Sequence, residues 1–218
     1  MHIENKLTKL KETFLSEEDF SFLTPLGEEG IDKLQAIVDR YNQKIEEGQK
    51  PVYKTMAFAT QFLPNFIVAR IAQDMLNTYI VGQVTNYLSP KDAAKLGQSF
   101  PPTYLAEIAL YADKLHLAKI TNELPFEIAY SVMRNMLQKG YISRIGELAD
   151  HLTEKLLKKF LERFTDPEEV AKIMIHMTNM PIIYAIYRTE IPGKRNAVMD
   201  ALRRLGHGDL AEKVEKNL

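Results

Sequence analysis

Apolar residues recur along the chain at helical rather than strand spacing. Near the start, Leu7, Leu10 and Phe14 fall at i, i+3, i+7, and Ile31, Leu34, Val38, Tyr41 and Ile45 form a longer stripe that Gly48 closes as a C-cap. This pattern predicts two helices over 3–47. Thr24, Pro25, Gly27 and Gly30 make a turn-rich break between them, and Gly48 to Pro51 marks a subdomain boundary. Strands are not expected, because the chain holds no Asn-Gly or Asp-Gly hairpin turn and no sustained period-two alternation.

From about Pro51 onward the pattern changes to short helices punctuated by proline. Pro-x-x-apolar-Ala occurs at Pro90 to Ala94, Pro102 to Ala106, Pro125 to Ala129 and Pro167 to Ala171. Proline suits a first helical position, since its φ is already helical and its missing N–H would have no partner there. Each proline is therefore expected to start a helix. Ser89 and Asp166 are suitable N-caps, and Asp166 with Glu169 has the spacing of a capping box; Pro101 and Leu124, in the equivalent places, are not caps. The apolar-Ala pair and the stripe after it (Leu96, Ile108 with Ala109, Val132, Ile173 with Met174) form one helical face, in which the alanine lets a neighbouring helix approach closely.

A second motif repeats upstream of two of these starts. Val84-Thr85-Asn86-Tyr87-Leu88 returns as Ile120-Thr121-Asn122-Glu123-Leu124, and Asn77 to Gly82 matches Asp113 to Ala118 in hydrophobic pattern. An earlier copy begins at Pro64, and between Pro125 and Pro167 the spacing is stretched by a helix pair after Gly140, at about 142–151 and 153–164. Short helices repeating every 20–50 residues are the signature of a solenoid, whose units bury their apolar faces only by stacking.

The repeat unit of leucine, proline, a polar pair, an apolar residue and alanine resembles the helical repeats in the cytosolic N-terminal domain of MgtE-type magnesium transporters. It also resembles the middle segment of the flagellar switch protein FliG. The likeness covers 88–178 and extends towards 62. What it implies is a right-handed superhelix of short helices serving as a regulatory or interaction module, and no enzyme.

Past Thr178, Asn179-Met180-Pro181 leads into a helical stretch to Tyr187, and Pro192-Gly193 breaks it. Ala197, Val198, Ala201, Leu202 and Leu205 share the next helix, which Gly206 stops, and Asp209 caps a final helix. The expectation is thus an all-α fold: a right-handed, solenoid-like superhelix of short antiparallel helices. Its parts are an N-terminal helical extension over 1–50, the repeat superhelix over 51–180 and a C-terminal helical cap over 181–218, forming one compact domain.

Composition narrows the function more than the fold. The 218 residues include no cysteine, which removes disulfides, thiolate metal sites and cysteine nucleophiles and suits a reducing compartment. The net charge is -1, without the basic excess that neutralises phosphates, so nucleic acid is not an expected partner. Residues 51–150 hold 17 of the 57 charged side chains, a charge-poor centre whose surface must be buried by its neighbours or covered by another molecule. Met1 to Leu10 lacks the apolar core of a secretory signal. Ile173 to Tyr187, interrupted by His176, Thr178, Asn179 and Pro181, is too short for a membrane span, so a cytoplasmic protein without a transmembrane segment is expected.

No catalytic, cofactor-binding or metal-binding residue is assigned, and no cofactor. Among the histidines, His2, His116, His151, His176 and His207, there is no HExxH pair; Glu147 and His151 share a helix face beside Asp150, but two such residues on one helix arise readily by chance. His176, amid Ile173, Met174, Ile175 and Met177, reads as a core or interface histidine. Glu168-Glu169 falls in a first helical turn, where negative charge favours the helix dipole. The basic runs Lys155, Lys158, Lys159, Arg163 and Lys194, Arg195, Arg203, Arg204 are interleaved with Glu154, Glu162 and Asp200, as in ordinary charged faces. Tyr79, Tyr87, Tyr104, Tyr111, Tyr130 and Tyr141, with Met133, Met136, Met174, Met177 and Met180, either fill the core or line a groove. The leading expectation is a non-enzymatic scaffold or regulatory module that binds a protein partner or itself, with peripheral membrane association also open. The alternative is a carrier of a small apolar ligand or lipid in a Tyr/Met-lined cavity between helices. A hydrolase with a metal site near Glu147 is a third.

Overall fold

The computed structural model describes residues 3–14, 19–189 and 192–217. His2 lies outside the described residues, as do the side chains of Phe14, Tyr41 and Ile45. Every regular element described is helical. The α-helices are α1 (Ile3–Phe14), α2 (Gly27–Ala59), α3 (Asn65–Met75), α4 (Thr78–Thr85), α5 (Pro90–Gly97), α6 (Pro102–Ile108) and α7 (Lys114–Glu123). They continue as α8 (Phe126–Gln138), α9 (Ile142–Ala149), α10 (Glu154–Arg163), α11 (Pro167–Ile175), α12 (Met180–Thr189), α13 (Pro192–Arg204) and α14 (Gly208–Glu215). Short 3₁₀ turns at Ser21–Leu26 and Thr60–Phe62 flank α2.

The helix starts follow the proline rule. Pro90, Pro102 and Pro167 stand in the first turn of α5, α6 and α11, whereas Pro125 takes the N-cap position of α8 and Pro64 that of α3. Ser89 Oγ accepts from the Asp92 amide at 3.1 Å and Asp166 Oδ1 from the Glu168 amide at 2.8 Å. The capping box does not form, because Glu169 turns away to meet Arg134 at 2.5 Å. Gly140 (φ 78°) and Gly206 (φ 83°) terminate α8 and α13. At each, the next amide reaches back five residues, Tyr141 to Met136 O and His207 to Leu202 O, both at 2.9 Å. The last helix starts at Gly208, so Asp209 lies in its first turn rather than at its cap.

The second helix is longer than its sequence pattern predicts. Gly48 does not cap a helix, and α2 runs unbroken through it and through Pro51 to Ala59. An interior proline removes a backbone hydrogen bond and costs about 3 kcal/mol. Here residues 47–52 are exposed, so water can solvate the freed carbonyl, while Ile31 before the break and Tyr53 and Ala57 after it are buried. Tertiary packing at both ends thus holds one helix where local rules would end it.

The short helices stack in two rows. The odd-numbered helices α3, α5, α7, α9, α11 and α13 each pack on the next of their row. The even-numbered row runs α2, α4, α6, α8, then α10, α12, α14, and Phe126 against Phe160 with Tyr130 against Phe164 joins its two parts. Ala94, Ala106, Ala129 and Ala171 are all buried between stacked helices, at most 2 % exposed. At the C-terminal end, α14 buries Ala211 and Val214 against the stack. α1 folds back against the side of the stack, burying Leu10 and packing on both α2 and α9.

These alanines set the spacing of the rows. Replacing Ala106 or Ala171 with Phe is expected to cost about 1–3 kcal/mol by overpacking, while Lys91→Ala or Glu168→Ala stays within about 0.5 kcal/mol. Ala129 borders the cavity described below, so part of an added ring has room and its cost is expected to be lower. Urea denaturation of the five variants checks the ranking, and an Ala171→Phe protein as stable as wild type would remove the close-approach argument.

Candidate functional site

The two rows do not close completely on one another. Between them lies a cavity of about 240 Å³ whose wall draws on α2 to α9, from Met56 to Leu148. The wall is apolar, with Leu, Val, Ile and Met side chains and small residues such as Ala72, Ala93 and Gly97. Its three hydroxyls are spent on their own helices: Thr60 donates to Ala57 O at 2.7 Å, Thr85 to Val81 O at 2.8 Å and Thr121 to Leu117 O at 2.8 Å. Leu63 and Ile71 belong both to this wall and to the exposed surface, which places the opening at the α2–α3 end. A second space, a polar cleft of about 650 Å³ bordered by Gln61, Asn65, Ser89, Asp92 and Lys95, adjoins it there. Thr60, Leu63, Leu88 and Leu96 line both spaces.

The same end carries a cluster of large exposed apolar side chains. Phe62, Phe66 and Met75 are 70, 71 and 76 % exposed, and Phe58 meets Phe62 edge to face at 5.0 Å between ring centroids. The cause is topological. α3 is the first helix of its row, so nothing earlier in the row covers its outer flanks, whereas α13 is followed by α14.

Of the methionines singled out in the sequence, Met133 and Met136 line this cavity, joined by Met56, while Met174, Met177 and Met180 and all six tyrosines do not. Tyr79 packs edge-on against Tyr111 at 5.3 Å, Tyr104 stacks on Phe100 and donates to Ala72 O at 2.8 Å, and Tyr130 packs on Phe164. Burial pushes the Tyr104 and Tyr111 hydroxyls above their ordinary pKa. The Tyr- and Met-rich centre is therefore largely covered, and the phenylalanine end just before it carries a cluster of uncovered apolar side chains, with Phe22, Ile37 and Leu115 exposed elsewhere.

The structure separates Glu147 from His151. Burial works to raise the Glu147 carboxyl pKa, but Lys9 at 2.9 Å, together with Arg144 and Lys114, holds it below the usual value. It thus ties α1 to α9. Arg144 donates to the carbonyls of Ala109, at 3.0 Å, and Ala112, closing the end of α6, while His151 faces solvent. His176 sits at the end of α11 against Gly146, where burial lowers its imidazole pKa. The basic runs are largely engaged: Lys158 pairs with Glu154 at 2.5 Å, Lys159 lies over Phe126, Arg163 meets Glu127 and the Tyr130 ring, and Arg203 meets Glu215 at 2.6 Å. Glu168 pairs with Lys172 at 2.7 Å.

A repeated polar contact links helices three apart in the chain. Asn86, Asn122 and Asp150 stand at or near the ends of α4, α7 and α9, each four residues after a small residue, Gly82, Ala118 or Gly146. Each reaches the start of a helix three further on. Asn86 accepts from the Asp113 amide at 2.7 Å, Asn122 from the Thr153 hydroxyl at 2.9 Å, and Asp150 from the Thr178 and Asn179 amides at about 2.9 Å. The small-x-x-x-Asn/Asp spacing was visible in the sequence, but its third copy follows the second by 28 residues rather than 36.

No protein-family model, curated protein or solved structure matches this chain. No helix among the described residues is long and apolar enough to cross a membrane.

Proposed function

We propose that the chain is a non-enzymatic scaffold or regulatory module, a right-handed superhelix of helical repeats that binds another protein through its open α2–α3 end. The observation that carries this reading is the exposure of Phe58, Phe62 and Phe66 at the α2–α3 end of the stack, where α3 is the first helix of its row among the described residues. Covering such side chains releases about 1.5–3 kcal/mol each, and exposed aromatic clusters of this kind characterise interaction sites. The resemblance of the proline-alanine repeats to those of MgtE-type transporters and FliG supports the module role and the handedness, and the cysteine-free composition supports a cytoplasmic setting.

Site-specific photocrosslinking in cells tests it. A photoreactive phenylalanine at Phe62 or Phe66 is expected to give a discrete protein adduct, heterologous or with a second copy, while the same group at exposed Lys213 on α14 gives none. Equal, diffuse labelling at all three positions would reject the docking end. A second reading, a carrier of a small apolar ligand, is favoured by a separate observation, the open apolar cavity between the rows.

A further inference from the structure

We propose that the cavity and its neighbouring cleft form one site for a single-chain amphiphile, a linear alkyl tail lying between the helix rows and an anionic head meeting Lys95. This rests on the carrier reading and adds to it the shape of the tail, the charge of the head and the residue that recognises it.

The tail follows from the wall. The wall reaches along one row from α3 to α9, yet the volume is only about 240 Å³. That is a narrow passage, below the roughly 300 Å³ at which pockets for compact drug-sized ligands begin. So small an apolar space suits a slim alkyl chain better than a bulky fused-ring ligand. Because Thr60, Thr85 and Thr121 already donate to backbone carbonyls, the wall presents no free donor to a polar atom, and a polar group placed there would be desolvated without compensation.

The head follows from the cleft. A tail entering past Leu63 leaves its first atoms beside Thr60, Leu88 and Leu96, the residues common to both spaces. The cleft beyond them is bordered by two charged side chains, Asp92 and Lys95. Asp92 is occupied, accepting from Ser89 Oγ at 2.6 Å in the cap of α5. Lys95, one turn on in the same short helix, is exposed and forms no ion pair among the described residues. Asp92 keeps its charge but is held in the helix cap, so the group left to meet a ligand is the Lys95 ammonium, with the neutral amides of Gln61 and Asn65 beside it, a set that can receive a carboxylate or a phosphodiester. Both heads occur on single-chain lipids, as free fatty acids and as lysophospholipids.

Isothermal titration of the whole chain with dodecanoate, lysophosphatidylglycerol, dodecanol and dodecyltrimethylammonium, each below its micellar concentration, tests the proposal. Saturable single-site binding of dodecanoate or lysophosphatidylglycerol is expected, and which of the two binds identifies the head. Lys95→Glu is expected to weaken that binding by roughly tenfold or more without weakening dodecyltrimethylammonium. Leu63→Trp, at an exposed position where folding is not at stake, is expected to close the mouth to every probe. Dodecanol binding as tightly as the anionic probes, or Lys95→Glu leaving them unchanged, overturns the head assignment while the carrier reading stands. Absence of saturable binding by any probe overturns both, and leaves crosslinking at Phe62 and Phe66 unaffected.

Discussion

Gly146→Leu is expected to leave the protein unfolded or at least about 3 kcal/mol less stable, at the upper end of overpacking costs. A Cβ at this position would lie 2.6 Å from His176 Cβ, 2.9 Å from the His176 carbonyl carbon and 3.0 Å from Ile173 O. Two of these are backbone atoms, so no rotamer change relieves the clash, and α9 and α11 must separate. Gly82→Leu is expected to act alike between α4 and α6, where a Cβ meets Tyr111 Cβ at 2.6 Å and Ile108 O at 3.0 Å. Gly48→Ala is the control. With nothing within 4 Å and an ordinary helical conformation inside α2, it is expected to raise stability by about 0.5–1 kcal/mol. Thermal melts of the three variants decide the matter, and a Gly146→Leu protein that melts with the wild type would mean that α9 and α11 do not touch at this point.

Asp150→Ala is expected to cost about 3–5 kcal/mol, the sum of several buried donors left without a partner. The carboxylate, 7 % exposed, accepts from the Thr178 amide at 3.0 and 2.9 Å, from the Thr178 hydroxyl at 2.6 Å and from the Asn179 amide at 2.9 Å. Removing it strands two backbone N–H groups at the turn between α11 and α12. Asp150→Asn keeps one acceptor oxygen and the side-chain shape, so it is expected to retain part of the loss. Thr178→Val removes only the hydroxyl and is expected to cost about 1 kcal/mol. Hydrogen exchange gives the local readout: the Thr178 and Asn179 amides should lose protection in Asp150→Ala before the rest of the chain does. Unchanged protection there would show that the turn is held by its own helices.

The two variants touch different halves of one repeated device, the small residue that lets helices close and the polar residue that locks the closed pair. Part of that device was legible in the chain. Asn86 and Asn122 stood out as matching positions, and so did Gly82 and Ala118. Asp150 did not, because it stands beside Glu147 and His151, where three polar side chains on one helix suggest a ligand cluster. In the structure each of the three faces something different: Asp150 the start of α12, Glu147 the Lys9 ammonium of α1, and His151 solvent.

By itself the sequence determined the helical class, the starts at the prolines, the stop at Gly206, and the burial of Ala94, Ala106, Ala129 and Ala171. These depend on interactions within a turn or two of chain: a ring that presets φ, a cap that accepts a nearby amide, a glycine that takes a positive φ, a stripe of constant period. Only the tertiary structure decided that α2 continues through Gly48 and Pro51, since its buried contacts at Ile31, Tyr53 and Ala57 outweigh an interior proline exposed to water. Only it decided where the empty and uncovered surfaces lie. The cavity wall is assembled from α2 to α9, and each of its leucines and valines looks, in its own helix, like any other core residue. The open end exists because α3 has no predecessor in its row, a fact of stacking order that no local pattern of Phe62 and Phe66 contains.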